Sequence, residues 1–211
     1  MSFGYIGDTS TSVKQQVKNK GILTTQESFD LERQGFLGGS LELIEEQTVS
    51  DTTASVEFTS IKENVFDVHV LQLSNVQLGT QENVKLQFST DSGSSYISTG
   101  YQHALQRQQA NSSFQQDKDS SASSIRIVNT AGATTNDTIN LCCYLYNLGN
   151  SSKDSFVSLH NVYIISNTLV SAFGGGVLAT ANLVNAIKIF LTSGDNYDNG
   201  VFKLFGVKEI S

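Results

Sequence analysis

Apolar and polar residues alternate most clearly in the segment from Val84 to Leu105. Apolar side chains take every second position from Val84 to Phe88, which is the period of a strand with one buried face. The turn-forming residues 91–93, Asp-Ser-Gly, come next, and a second strand is predicted to run from Tyr96 through Tyr101. The pattern predicts a β-hairpin.

The end of the chain repeats this arrangement. Two apolar runs, Ala186 to Thr192 and Val201 to Val207, flank the sequence SGDNYDNG. Residues of this kind favour a tight connection between neighbouring strands. A second hairpin is therefore predicted here, with the SGDNYDNG segment as its turn.

Short apolar runs recur about every 10 to 15 residues from Ser40 onward, a spacing typical of sandwiches and barrels. The polar segment from Gln106 to Ser124 is predicted as a long loop, and Gly174 to Gly176 as a flexible bend. About eight to ten strands predict an all-β, jelly-roll-like antiparallel β-sandwich. The chain contains no proline, so its edge strands need some other cover, such as a neighbouring subunit.

Residues 1–39 have scattered apolar positions without a period, which predicts an extended N-terminal arm. One short helix is predicted from Thr24 to Gln34, because Thr24 and Glu27 are spaced as a capping box and Gly35 is placed to end the helix. The predicted organisation is an anchoring arm of residues 1–39 followed by a sandwich domain of residues 40–211.

Charge narrows the classes of partner. With 20 acidic and 13 basic residues the net charge is -7, whereas duplex binding requires clustered basic residues, so no nucleic acid is expected. No apolar run approaches the roughly 18 residues of a membrane helix, and the N-terminus lacks the features of a signal peptide, so no membrane partner is expected. Lys14, Lys18 and Lys20 form a local basic stretch, read either as a solvated tail or as a docking segment for an acidic surface.

Candidate catalytic and metal-binding residues are few. His69, His103 and His160 lie in or beside predicted strands and are interpreted as packed or surface histidines. Adjacent Cys142 and Cys143 should point to opposite faces of one strand, which favours free thiols. No catalytic residue, metal or cofactor is predicted, and the chain is not expected to be an enzyme. A cupin-like or glycosidase site on the same fold needs clustered histidines or paired carboxylates.

Residues 195–200, DNYDNG, resemble a calcium-binding loop in their oxygen content and in the glycine at the sixth place. Tyr197 occupies the third place, where a carboxylate or amide is needed, and Gly206 stands at the twelfth, where a glutamate is expected. A turn is the favoured interpretation of this segment.

Tyr96, Tyr101 and His103 are the candidate ligand-facing residues. On one hairpin they can form a platform on which the apolar face of a sugar stacks. The alternative is that they pack within the sheet or against a neighbouring subunit.

Two segments, QFSTDSGSSYISTGY and IKIFLTSGDNYDNGVFKLFGV, together resemble virion structural proteins of tailed bacteriophages, notably those of marine phages. The shared pattern is an alternating strand, a Ser-Gly-rich turn, and a strand ending in Leu-aromatic-Gly-apolar, here Leu204 to Val207. The resemblance lies in strands and turns, so it transfers no catalytic residue. The segment VKQQVKNKGILTTQESFDL also resembles the attachment segments that precede such domains.

The resemblance implies a non-enzymatic virion component, made in the bacterial host cytoplasm and associated with the tail or its fibres. A capsid decoration (cement) protein and a carbohydrate-binding, host-recognition module are the alternatives. The implied partners are other virion proteins, further copies of the chain with a trimer favoured, and a host-surface glycan. The arm residues expected to bind a neighbour are Lys14, Lys18 and Lys20 by charge, and Phe29, Leu31, Phe36 and Leu37 by apolar contact.

Overall fold

A computed structural model describes residues 40–208 of the chain. These residues form twelve strands: β1 Leu41–Thr53, β2 Ser55–Phe58, β3 Val68–Leu78, β4 Glu82–Ser89, β5 Tyr101–Gln109, β6 Phe114–Ala122, β7 Ile125–Ala131, β8 Thr138–Tyr146, β9 Ser155–Ile165, β10 Thr168–Leu178, β11 Ala186–Leu191 and β12 Tyr197–Val207. The predicted arm and its helix lie outside the described residues.

The strands form two antiparallel sheets packed as a sandwich. The larger sheet has the order β1-β12-β3-β8-β9-β10-β5-β6, and the smaller has the order β2-β11-β4-β7. The prediction of an all-β antiparallel sandwich is therefore confirmed. The larger sheet has twice as many strands as the smaller one.

Alternation of side chains explains why these segments form strands. In β4 the inner positions Val84, Leu86 and Phe88 are fully buried, while the residues between them are partly exposed. In β9 every second residue from Ser155 to Tyr163 is buried. Because successive side chains point to opposite faces of a sheet, each strand presents one face to the interior and one to the outside.

The core is one continuous apolar cluster between the two sheets. Its largest fully buried side chains come from both layers and are Tyr101, Tyr163, Tyr197, Phe58, Phe88, Phe202, Ile61, Leu71, Leu73, Leu78, Leu86 and Ile125. Removing this apolar surface from water provides the main force that holds the two sheets together.

Both predicted hairpins are wrong in their strand pairing. Strand β4 pairs with β7 and β11, whereas β5 pairs with β6 and β10. Residues 90–100 therefore carry the chain from the smaller sheet to the larger one, and Tyr96 and Ile97 lie in this connection. At the end of the chain β11 and β12 likewise belong to different sheets. In both places the turn-forming residues end a strand as predicted, but the next strand belongs to the opposite sheet.

Three further predictions are corrected. The segment from Gln106 to Ser124 completes β5 and forms β6 instead of a long loop, because its backbone pairs with neighbouring strands although its side chains are polar. Gly174 to Gly176 lie inside β10 and not in a bend. Tyr197 begins β12 and is fully buried, so only the first part of SGDNYDNG forms the connection.

Candidate functional site

The predicted arm residues lie outside the described part of the chain. They are Lys14, Lys18, Lys20, Phe29, Leu31, Phe36 and Leu37. Their role in binding a neighbour stays a prediction.

The structure separates the three candidate ligand-facing residues. Tyr101 is fully buried and its hydroxyl oxygen accepts a 2.8 Å hydrogen bond from the backbone N–H of Phe88, while burial raises its pKa to about 12. Tyr96 is half-buried in the connection after β4, where the Lys188 ammonium lies 5.1 Å from its ring centroid. His103 points inward from β5 and is almost fully buried. The three side chains do not share one exposed surface.

Exposed aromatic residues lie instead on the outer face, defined as the face of the larger sheet turned away from the smaller sheet. Tyr144 in β8, Phe156 in β9 and Phe173 in β10 are 44%, 46% and 56% exposed. Each alternates with buried neighbours along its strand. Leu169 and Phe114 add further exposed apolar side chains on the same face.

A row of small residues crosses the outer face at right angles to the strands. Cross-strand pairing places Ser158 of β9 beside Gly175 of β10, and Gly175 beside Ala104 of β5. Tyr144 of β8 ends this row on one side, and Lys118 of β6 ends it on the other. Because three adjacent positions carry almost no side chain, the row forms the floor of a trough.

Larger side chains border the trough on both sides. One flanking row places Phe156 beside Val177, with Gln102 next along it. The other flanking row contains Phe173 beside Gln106. The two rows are four residues apart along each strand, which corresponds to about 13 Å of backbone.

Two adjoining depressions occupy this trough. The larger has a volume of about 820 Å³ and the smaller about 300 Å³. They share Ala104 and Lys118. The lining of the larger one includes Phe156, Gln102, Asp119 and Ser120 besides the glycine floor, and Phe173, Gln106 and Gln116 line the smaller one. The site is an open groove with aromatic walls and a polar end.

The glycines of β10 are required by the close approach of neighbouring strands. A Cβ atom on Gly175 would lie 2.4 Å from the carbonyl oxygen of Val157, a backbone atom that cannot move aside. A Cβ atom on Gly176 would lie 2.7 Å from the side chain of Ile125 in the core. Gly175 therefore keeps the floor of the trough low, and Gly176 allows β10 to lie close to the core.

A buried polar network lies directly beneath the trough. Asp117 of β6 points inward and accepts hydrogen bonds from Arg126 at 2.7 Å and from Asn129 at 2.9 Å, both side chains of β7. The Nε2 atom of His103 lies 3.7 Å from the Asp117 carboxylate, and neither ring nitrogen has a hydrogen-bond partner among the described residues. Arg107 donates hydrogen bonds to the Asn129 carbonyl and to Gln115. This network ties β6 of the larger sheet to β7, the edge strand of the smaller sheet.

The charges of this network determine the ionisation of Asp117. Burial raises the pKa of the carboxyl group, but contact with His103 and the charge and hydrogen bond of Arg126 outweigh burial and hold the pKa below its usual value. Asp117 is 8% exposed and the Arg126 side chain 29% exposed. The carboxylate is thus ionised at neutral pH and paired with a cation that reaches the surface.

The structure places the remaining candidate groups apart. His69 is buried, and burial lowers its pKa, while its Nε2 lies 2.7 Å from the Ile61 carbonyl. Cys142 is exposed and Cys143 buried, both as free thiols, which confirms that they point to opposite faces. Within residues 40–208 there is no group of three or more His, Cys, Asp or Glu residues positioned to hold a metal ion. The same residues contain no helix long and apolar enough to span a membrane.

Sequence reasoning missed the trough because its residues are distant along the chain. Ala104, Ser158 and Gly175 become neighbours only through the pairing of β5, β9 and β10. The available signal was the triple glycine followed by Val177 and Leu178, since glycines within an apolar strand mark a close approach of backbones. No protein-family model, curated protein or solved structure matches this chain.

Proposed function

We propose that the sandwich is a jelly roll extended by two inserted hairpins. A jelly roll has eight strands in two four-stranded sheets. The neighbours β1-β12-β3-β8 in the larger sheet and β2-β11-β4-β7 in the smaller supply eight such strands. The remaining pairs, β5 with β6 and β9 with β10, are hairpins that extend the larger sheet alone.

We propose that the protein is a non-enzymatic virion structural protein of a tailed bacteriophage, associated with the tail or its fibres. The strand order carries this proposal, since jelly-roll sandwiches recur in viral structural proteins. Lectin domains and cupins use the same architecture, and fold alone does not assign a function. The resemblance of the segments around residues 91–93 and 195–200 to phage virion proteins supports the choice of class.

Capsid decoration is the alternative within the same class. A decoration protein covers the shell in regular copy number, whereas a tail component occurs in a few copies at one vertex. Because both roles use the same fold, position in the particle distinguishes them. The third reading, a carbohydrate-binding module, is favoured by the trough on the outer face.

The first test is to locate the chain in purified particles. Quantitative mass spectrometry gives its copy number, and cryo-electron microscopy gives its position. We expect a few copies on the tail. Copies spread over the shell would replace the tail role with capsid decoration, and absence from particles would overturn the virion role.

A second test addresses the arm. We expect a chain lacking residues 1–39 to fold, with the circular dichroism of a β-protein, but to be lost from particles, because the arm carries the proposed anchoring residues. A matched control lacks only residues 1–11 and keeps Lys14 through Leu37, so it should be incorporated. Normal incorporation of the chain lacking residues 1–39 would contradict anchoring by the arm.

A further inference from the structure

We propose that the trough on the outer face binds a neutral oligosaccharide that lies across strands β9, β10, β5 and β6. The trough is the row Tyr144, Ser158, Gly175, Ala104 and Lys118 with its flanking rows. Of the three candidate ligand-facing residues from the sequence, His103 lines the larger depression, whereas Tyr96 and Tyr101 lie elsewhere in the sandwich. It is a property of the isolated protein and does not depend on the virion role.

The aromatic walls provide the first reason. Phe156 and Phe173 are about half exposed, although burying an aromatic ring of this size is strongly favourable. They stand on opposite sides of the small-residue floor. Flat apolar rings at the sides of an open groove match the flat C–H faces of sugar rings, which stack on aromatic side chains.

The polar lining provides the second reason. Gln102, Gln106 and Gln116 contribute side-chain amides, and Ser120 contributes a hydroxyl. Amide and hydroxyl groups each donate and accept hydrogen bonds. Sugar hydroxyls also donate and accept hydrogen bonds, so these side chains can bond to a sugar hydroxyl as either donor or acceptor. An apolar surface with a few convergent polar groups is the usual composition of a small-molecule site.

The charge of the residues that line the trough indicates which class of ligand it can bind. The lining contains one cation, Lys118, one anion, Asp119, and one histidine, His103. With histidine counted as neutral, the formal charge of the lining is zero, although the whole chain carries -7 on the same count. A polyanion such as a nucleic acid or an acidic polysaccharide requires several cations along its path. Asp119 already accepts a 2.8 Å hydrogen bond from the Ser121 backbone N–H. The lining is therefore complementary to a neutral ligand.

The shape of the trough favours an oligosaccharide over a single sugar ring. The depressions are lined by strands β9, β10, β5 and β6. They therefore span three strand spacings, about 14 Å at the usual distance between neighbouring strands. The two depressions share Ala104 and Lys118 of the floor, lie on opposite sides of it, and are both open to solvent. A chain of linked sugars can follow such a groove and contact both aromatic walls.

The test is an NMR titration of the purified full-length protein. The probes are the neutral hexasaccharides maltohexaose, cellohexaose and mannohexaose, with hexagalacturonate as the anionic probe. We expect at least one neutral probe to shift the amide resonances of residues 102–106, 116–120, 156–158 and 173–177. Phe156→Ala and Phe173→Ala should each weaken its binding about tenfold, because a lost aromatic stacking contact of about 1.4 kcal/mol corresponds to that ratio.

Matched variants identify the site. Leu169→Ala and Phe114→Ala remove exposed apolar side chains from the same face outside the trough and should leave affinity within about twofold, as expected of surface positions. Equal losses at Leu169 and Phe156 would overturn the proposal.

Three other outcomes would also overturn it. The first is that none of the neutral hexasaccharides shifts these resonances. The second is that hexagalacturonate alone binds, with an affinity that falls as salt rises, since the ligand would then be anionic. The third is that the same resonances shift with protein concentration in the absence of sugar, which would assign the face to a second copy of the chain.

Discussion

The two ends of the larger sheet bury different chemistry against the smaller sheet. Under β12, β3 and β8 the inner positions are mainly apolar, as shown by the buried residues Leu71, Leu73 and Leu204, and His69 of β3 is a buried polar exception. Under β5 and β6 the inner positions include His103 and Asp117, and the Asp117 carboxylate is paired with Arg126 of β7. One end is closed by hydrophobic contact and the other by ion pairs and hydrogen bonds.

This difference follows from where the smaller sheet ends. Strand β7 is its edge strand, so the interior beneath β6 is open to solvent on one side. Apolar contact is non-directional and suits the enclosed end. Hydrogen bonds to a charged group are directional, and they fix the position of β6, a strand whose only buried residues are Asp117 and Ala122. The floor of the trough lies above this polar end, so the network also supports the candidate binding site.

The largest expected effect is at the apolar end. Leu71→Ala should lower the free energy of unfolding by about 3 kcal/mol, because it removes buried methyl groups and leaves a cavity. Urea denaturation of the full chain measures this value. The control, Leu169→Ala, changes an exposed leucine and should stay within about 0.5 kcal/mol. If the two substitutions lowered the free energy of unfolding equally, the apolar end would not be the main source of stability.

At the polar end Asp117→Ala should cost about 2 kcal/mol at pH 7, since it leaves Arg126 and Asn129 without their acceptor. This expected loss of stability is smaller than the loss from breaking a fully buried ion pair, because part of the Arg126 side chain is exposed to solvent. Urea denaturation at pH 7 gives the loss. The control Asp119→Asn alters an exposed carboxylate on the same strand and should have a smaller effect.

The loss at Asp117 should depend on pH. The folded state lowers the pKa of this carboxyl group, so its stabilising contribution is complete above the unfolded value of about 3.9. The contribution disappears as the pH falls through the lower folded value. The difference in stability between the wild type and Asp117→Ala should therefore shrink below about pH 4. If this difference in stability grew as the pH fell, the ion pair between Asp117 and Arg126 would not be its cause.

An apolar replacement of the pair sharpens the comparison further. The double variant Asp117→Leu with Arg126→Met should recover more than half of the stability lost in Asp117→Leu alone, because a buried ion pair is often replaceable by apolar side chains of similar size. Urea denaturation of both variants measures the recovery. A double variant as unstable as the single one would mean that Asn129 and His103, and not the ion pair, determine the stability of this end.

Much of the fold could be predicted from the sequence because the apolar residues of many strands follow a period of two. Strand β4 was found from the alternation of Val84, Leu86 and Phe88, and all three are fully buried. Pairing was not predictable in the same way. Residues 91–93 form a turn, with Ser92 and Gly93 at positive φ, but a turn that reverses a strand and one that crosses to the opposite sheet use the same residue types.

The polar end escaped prediction for a different reason. Strand β6 has the sequence FQQDKDSSA, and its inner positions carry polar groups that satisfy each other across the sandwich. Hydrophobic periodicity cannot detect such a strand. The hairpin between β9 and β10 was also missed, since Ser166 and Asn167 occupy its turn with φ of 49° and 61° in place of the more familiar Asn-Gly pair.

The smallest expected effect is a change in the pKa of a single carboxyl group. It is tested at Asp91 and Asp117, whose pKa values are both below the ordinary value. Asp91 is exposed, and hydrogen bonds from the Ser95 and Ser89 side chains lower its pKa to about 2. Ser95→Ala removes the largest of these contributions and should raise the pKa of Asp91 toward its ordinary value, with the pKa of Asp117 unchanged. Carbon-13 NMR titration of the carboxyl groups measures both.

The reciprocal variant completes this comparison. Arg126→Gln removes a charge beside Asp117, so burial should then raise the pKa of that carboxyl group while Asp91 keeps its value near 2. A change at both carboxylates in either variant would show that the two regions are coupled. Independent changes mean that hydrogen bonds hold the exposed turn, whereas charge pairing offsets the burial of Asp117 beneath the trough.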